Sequence, residues 1–308
     1  MDQIPPEVRR SIAELSAVLS NRRLPVHIAA ATLPVPEEIR QALGFWYEHI
    51  PLVYEAAGET LPGFFVSLAA DLSHVTWHAA GETPRFSACL AYYLDEIDFP
   101  EENLADLNQV LDTLQPSRLG SWITGRKDSY DLGWYLTPPD GRLESALPLL
   151  PESPDLHRLA GWAERYGVSD CVRLGRSLAS DELLSEVALE ISAETPRRAV
   201  EIGMRLLPEL GLADPPDEIL EAALRQTQAN IFASLWLGQG GAVKFGLLLP
   251  QPSTELVLRL CDAAGQSHEN ELAIFEASLG SQGPAYAEPQ QLASGWGVEL
   301  HYAIQGER

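Results

Sequence analysis

The sequence predicts an α+β fold in which ten antiparallel strands, arranged as five helix–hairpin repeats, close into a barrel surrounded by α-helices. Three observations predict it. Strand-like runs occur in pairs joined by short turns, and amphipathic helical stretches separate the pairs. The pairs begin roughly 40–60 residues apart, a spacing that indicates a repeat architecture. A sheet of so many antiparallel strands must also hide its edges, and closure removes them. The competing arrangement is two α+β layers, each sheet covered on one side only; the regular recurrence favours the barrel.

Each element has its own justification. Pro6 to Ser20 carries Val8, Ile12, Leu15, Val18 and Leu19 at helical spacing, and Pro36 to Tyr54 follows a prolyl, acidic start. These helices fill residues 1–57, and the repeats fill 58–304 of a single domain. The first hairpin is read at Gly63 to Ser73 and Arg85 to Asp95, around Gly81-Glu-Thr-Pro. His74 and His78 then fall at a strand end and turn, a poor frame for a metal pair, and no metal ligands are assigned. Glu101 to Leu114 returns to helical spacing. The second pair is Ser121 to Gly125 and Tyr130 to Thr137; the third is Cys171 to Leu178 and Leu184 to Ser192. The fourth, Asn230 to Leu237 and Ala242 to Pro250, turns at Gly238-Gln-Gly-Gly. Helices over Pro154–Tyr166, Pro196–Leu210, Pro216–Gln226 and Thr254–Ala264 lie between and after these pairs. Glu271 to Leu279 and Trp296 to Ile304 complete the set across a Gly/Pro/Gln-rich connection.

Alternation along the strands divides them into two faces. Phe86, Ala88, Leu90, Tyr92 and Leu94 form an apolar set, and Val243, Phe245, Leu247 and Leu249 oppose Lys244, Gly246 and Leu248. With the apolar sets against the helices, the mixed sets line a solvent-filled lumen suited to a ligand.

Composition excludes several functions. Forty-four acids against 21 Lys and Arg give a formal charge of −23, which disfavours nucleic acid and anionic membranes as partners. No apolar run is long enough to span a bilayer, and the first residues lack the layout of a secretory signal. The three cysteines, Cys89, Cys171 and Cys261, are widely spaced and odd in number, so a reducing cytoplasm is expected. Hydrolase-elbow, P-loop and dinucleotide fingerprints are absent.

The order of elements, with the stretches "TPRFSACLAYYLDE", "WITGRKDSYDLGWYLTPPDG", "LAGWAERYGVSDCVRLGRS" and "GGAVKFGLLLP", resembles the ABBA prenyltransferases, whose fold is the PT barrel. These include soluble bacterial aromatic enzymes and cyanobactin-type peptide enzymes. The resemblance spans roughly Gly58 to Ile304 and rests on order and spacing. It implies transfer of an isoprenyl group from an allylic diphosphate to an electron-rich small-molecule or peptide acceptor. Such chemistry needs fixed positive charge for the leaving group and aromatic faces for the allylic cation. Arg85, Arg173, Lys244 and His301 are the candidate diphosphate ligands, Lys244 being one of two lysines in the chain. Arg85 stands where the family places a magnesium-binding Asp or, in metal-independent members, an Arg. The resemblance therefore implies no cofactor and no Mg²⁺, in a protein expected to be a monomer. Tyr93, Tyr135, Phe232 and Trp236 are the candidate aromatic shield.

The chain departs from that pattern. Leu132 or Gly133 stands where the family commonly has a lysine, and Glu186, Glu190, Glu299 and Asp131 bring acids to the inner wall. Two readings follow. The cations bind diphosphate while Glu186, Glu190 or Glu299 holds the acceptor and takes its proton. Alternatively, the barrel binds a peptide or small hydrophobic ligand without catalysis, its diphosphate site being degenerate.

Overall fold

The structure, a computed structural model, describes residues 63–96, 101–126, 130–178, 184–266 and 283–304, with 268, 269, 272, 273, 275 and 276 among those between. Both N-terminal helices read from the sequence lie outside the described residues. Ten antiparallel strands close into a barrel in the order β1-β10-β9-β8-β7-β6-β5-β4-β3-β2. The strands are β1 Gly63–Ala69, β2 His74–Glu82, β3 Arg118–Arg126, β4 Tyr130–Leu136 and β5 Asp170–Ser177. They continue as β6 Ser185–Ser192, β7 Asn230–Gly238, β8 Gly241–Pro250, β9 Tyr286–Leu292 and β10 Gly295–Ile304. Closure is made by β1 on β10, in register from Phe64↔Ile304 to Ala69↔Glu299. Among the described residues no helix is long and apolar enough to cross a membrane.

Helices α1 Thr83–Glu96, α2 Glu101–Leu114, α3 Leu143–Ala146, α4 Pro154–Tyr166, α5 Pro196–Met204, α6 Leu206–Glu209, α7 Asp217–Ala223 and α8 Thr254–Ala263 follow the hairpins. The hydrophobic core lies outside the barrel, between strands and helices. Trp77, Val187, Leu235, Phe245, Leu247 and Leu300 of the strands are buried with Phe86, Leu159, Trp162 and Leu260 of the helices. Burying the outer strand faces in this way leaves the inner faces free for polar groups. Helix α4 shows how local sequence fixes an element. Ser153 accepts from the Leu156 amide at its start, Pro154 occupies the first turn, and Gly167 closes it at φ 67°. Ser153→Ala is expected to cost about 1 kcal/mol and lower Tm by roughly 2–4 °C, checked by thermal denaturation.

Two sequence expectations are corrected. Thr83–Glu96 is a helix, not the returning strand of the first hairpin. Its buried positions, Phe86, Cys89 and Leu90, have the three-and-four spacing of a helix face, while Ala88 of the supposed apolar alternation is exposed. The returning strand is instead β2, where Val75, Trp77 and Ala79 are buried and His74, Thr76 and His78 alternate with them. His74 and His78 thus sit within a strand, not at an end and turn. The ninth strand is also misplaced. Leu272, Ala273, Phe275 and Glu276 are helical, and the strand is Tyr286–Leu292, inside the stretch read as a connection. Pro289, which cannot donate to a ladder, and a lack of β-branched residues hide β9 from a propensity reading.

Candidate ligand-binding lumen

Ladder partners share a face, so the register alone assigns the lumen side. Ser67, Thr76, Thr124 and Asp131 face inward in successive strands. So do Glu186, Trp236 and Lys244 across β6, β7 and β8, and Glu288 opposite Glu299 across β9 and β10. Arg173 and Lys244 also face the lumen, each next to a β-bulge. The register shifts between Cys171 and Arg173, and again where Trp236↔Lys244 gives way to Leu237↔Ala242. Arg173 is in phase with Gly175, the partner of Glu186, and Lys244 with Gly246 and Leu248, so the alternation of each strand's longer part points both cations inward. The extra residues, Val172 and Val243, turn Cys171 and Ala242 beyond them to the opposite face.

Each cation meets a carboxylate there. Arg173 Nη2 donates to Glu186 Oε1 at 2.5 Å, and Ser234 Oγ donates to the same oxygen at 2.8 Å. Lys244 Nζ lies 3.5 Å from Glu299 Oε2, and His74 Nε2 lies 3.9 Å from that atom. His301 Nε2 is 2.9 Å from Glu288 Oε2, while its Nδ1 is 2.6 Å from Ser67 Oγ, which in turn is 3.2 Å from His78 Nε2. Ser67 therefore bridges two imidazoles. Glu288 lies across Gly246, where an added Cβ would come within 1.8 Å of Glu288 Oε1, so only glycine leaves room for the carboxylate. Gly120 makes the same allowance for the Tyr135 ring, with an added Cβ 2.2 Å from it.

These contacts set the charge states. Burial opposes ionisation of Glu299, but Lys244, His74 and His301 outweigh it and hold the carboxyl well below its ordinary range. Lys244 and His301 likewise depress Glu288 against the effect of burial. Burial would weaken Arg173 and Lys244 as cations, yet Glu186 raises the first and Glu299 the second. His78 is pushed down to about 3, first by burial and then by Arg173 and His301, so its ring is neutral. Burial raises Asp131, although Ser177 donates to it at 2.9 Å, and pushes Tyr135 up to about 12.

The groups surround a cavity of about 170 Å³ whose lining includes His74, His78, Trp122, Arg126, Asp131, Arg173, Glu186, Trp236, Lys244, Glu288, Glu299 and His301. Trp122 and Trp236 meet edge to face with centroids 5.7 Å apart, and Arg173 lies over the Tyr135 ring at 5.9 Å.

Of the residues singled out from the sequence, Arg173, Lys244, His301, Glu186, Glu299 and Trp236 come together around this cavity, and Tyr135 touches it through Arg173 and His78. Phe232 and Glu190 occupy inward positions further along the barrel. Phe232 meets Tyr286 edge to face with centroids 6.0 Å apart, and Glu190 accepts from Asn230 Nδ2 at 3.0 Å; neither lines the cavity. Arg85 and Tyr93 belong to α1 and so do not stand on the barrel wall. They are removed from the proposed diphosphate and aromatic sets. His74, His78, Trp122 and Glu288 were missed. The alternation of β2 is the signal for the histidines, and the small residues Gly133 and Gly246 facing Trp122 and Glu288 are the signal for the others.

No family model matches the chain. It is 27% identical over 293 residues to a PH domain-containing protein of Dictyostelium discoideum, covering 92% of this chain and 64% of that protein. The chain thus spans less than two thirds of that relative. Among solved structures it is similar to a 6-dimethylallyl tryptophan synthase, with TM-score 0.65, 12% identity and coverage of 92% and 96% of the two chains. A 5-dimethylallyltryptophan synthase from Streptomyces coelicolor superposes at TM-score 0.62, with 13% identity and 92% and 95% coverage. A 6-dimethylallyltryptophan synthase from Micromonospora olivasterospora, in complex with DMASPP and Trp, superposes at 0.56, with 13% identity and 87% and 92% coverage.

Proposed function

The chain has the PT-barrel fold of the ABBA prenyltransferases, and we propose that it uses the barrel as a chamber for one small, nitrogen-bearing molecule held by the lumen carboxylates. The observation that carries this reading is the charge of the wall. Asp131, Glu186, Glu288 and Glu299 line the cavity against Arg126, Arg173 and Lys244, and the last two cations are already paired. A trianionic diphosphate would enter against net negative charge and would have to displace carboxylates from both inner cations. A guanidinium or ammonium instead gains charge-assisted hydrogen bonds to those acids and the faces of Trp122 and Trp236. A cavity near 170 Å³ is close to the roughly 150 Å³ that accommodates one benzene ring, so its size suits a single small molecule.

A second reading is prenyl transfer, favoured by the fold and by the convergence of Arg173 and Lys244 on one space. Here an allylic diphosphate would draw both cations to its phosphates, and Glu186 or Glu299 would take the proton of an N–H or aromatic acceptor. The enzyme would be a transferase, with a small molecule or peptide as acceptor and no metal needed if the two cations suffice.

Calorimetry on chelator-treated protein separates the readings. Agmatine is expected to bind saturably, and Glu299→Gln to weaken it by about tenfold or more. Dimethylallyl thio-diphosphate is expected to give no heat at millimolar concentration. Tight binding of the thio-diphosphate with no response to agmatine would replace the first reading with the second.

A further inference from the structure

Beside the Arg173–Glu186 pair lies a second polar group, of which the two readings use only Glu299 and its partner Lys244. Glu288 and Glu299 are directly opposite on β9 and β10, and His301 is two residues beyond Glu299 on the same inward face. One donor atom from each of these three lies within 4.8 Å of the others. The two carboxylates are nearly inaccessible, at 2% and 5% exposure. Holding two buried anions so close requires compensating positive charge. Lys244 supplies one unit, through Glu299 Oε2. Glu288 Oε1 has no hydrogen-bond partner, though it is buried and belongs to the cavity wall. An acceptor left bare in such a place calls for a donor or an ion.

The surroundings favour an ion. In the Nδ1–H tautomer His301 donates a hydrogen bond to Ser67 Oγ at 2.6 Å, which frees its Nε2 lone pair for a cation seated between that nitrogen and Glu288 Oε2. Fixing a ligating imidazole through its other nitrogen is the usual outer support of a metal site. His74 Nε2, 3.9 Å from Glu299 Oε2, places a further imidazole within reach. We propose that Glu288, Glu299 and His301, with His74 as fourth donor, bind a divalent first-row transition ion such as Zn²⁺. Mixed imidazole and carboxylate donors suit that class of ion better than Ca²⁺ or Mg²⁺, which take mainly oxygen. Bond lengths near 2.0–2.2 Å would draw the donors together by small side-chain rotations. The inference shares Glu299 with both readings of the lumen but depends on neither, since metal binding is read without either ligand. It also has a consequence for both: a dication would turn a wall with one excess negative charge into one with one excess positive charge, so cation binding and anion binding would respond to the metal in opposite directions.

The test uses the tag-free full chain, stripped with chelator and titrated with Co²⁺ followed by its visible d–d absorption, then with Zn²⁺ by calorimetry. One equivalent is expected, with binding weakened about 10- to 100-fold or more in Glu288→Gln and in His301→Ala. Lys244→Met, which removes the competing ammonium beside Glu299, is expected to tighten binding by roughly tenfold. Circular dichroism establishes that each variant is folded. If Glu288→Gln and His301→Ala do not fold, the response of Lys244→Met decides the matter. Absence of saturable binding in the parent protein overturns the proposal. So does binding that survives both ligand substitutions unchanged, or binding indifferent to Lys244→Met.

Discussion

Acidification from pH 7 to pH 4 is expected to destabilise the protein by about 3 kcal/mol through His78 alone. Its pKa falls from an ordinary 6.5 to about 3 in the folded barrel, because burial, Arg173 and His301 all oppose a charge on the ring. The unfolded chain therefore binds a proton at His78 through a range in which the folded chain does not. Stability from this group is fully present above about 6.5 and is lost progressively as the pH falls toward about 3. Glu288 and Glu299, both held below their ordinary range, add to the loss only at the acidic end, where carboxyls of the unfolded chain begin to protonate. Urea denaturation at several pH values measures the slope. In His78→Gln the slope between pH 6.5 and pH 4.5 should flatten, because no ring remains to be protonated on unfolding. An unaltered slope in that variant would mean that other groups carry the acid sensitivity.

Glu186→Ala is expected to cost about 3 kcal/mol, the order observed when one member of a buried ion pair is removed. Glu186 is 3% exposed and holds both Arg173 and the Ser234 hydroxyl through one oxygen. Without it the guanidinium remains inside the wall with its Nε already unpartnered. Replacing both partners, as Arg173→Met with Glu186→Leu, should recover most of the loss, since an apolar pair carries no stranded charge. A double-mutant cycle read by chemical denaturation checks both statements. A loss below about 1 kcal/mol for Glu186→Ala would show that solvent, not the pair, satisfies Arg173.

Much of this architecture is legible from periodicity. Hairpins whose outer faces read as apolar alternation, such as Phe245, Leu247 and Leu249 on β8, appear where the sequence places them, and the parity that points Glu186, Trp236 and Glu299 inward follows directly. The errors have definite causes. A 14-residue helix such as α1 places Phe86 and Leu90 on one face, and those same residues satisfy a two-residue alternation over a short window. Once Thr83–Glu96 is read as a strand, β2 has no place, and His74 and His78 leave the lumen with it. Proline in β9 conceals Glu288 in the same way. Arg173 and Lys244 follow from the same alternation, being in phase with Gly175 and Gly246; the neighbouring bulges, which alternation does not encode, turn Cys171 and Ala242 to the other face. Pairings across the closing seam of β1 and β10, such as Ser67 with His301, join residues 234 positions apart and emerge only on closure of the barrel.

The chemistry of the lumen turns on whether its acids or its cations meet the ligand. A crystal structure of the chelator-treated chain grown with agmatine measures this directly. The guanidinium is predicted inside the barrel, its nitrogens about 3 Å from carboxylate oxygens of Glu186 or Glu299 and its plane facing Trp122 or Trp236. A lumen that excludes agmatine, while crystals grown with dimethylallyl thio-diphosphate place phosphates on Arg173 and Lys244, would contradict the account.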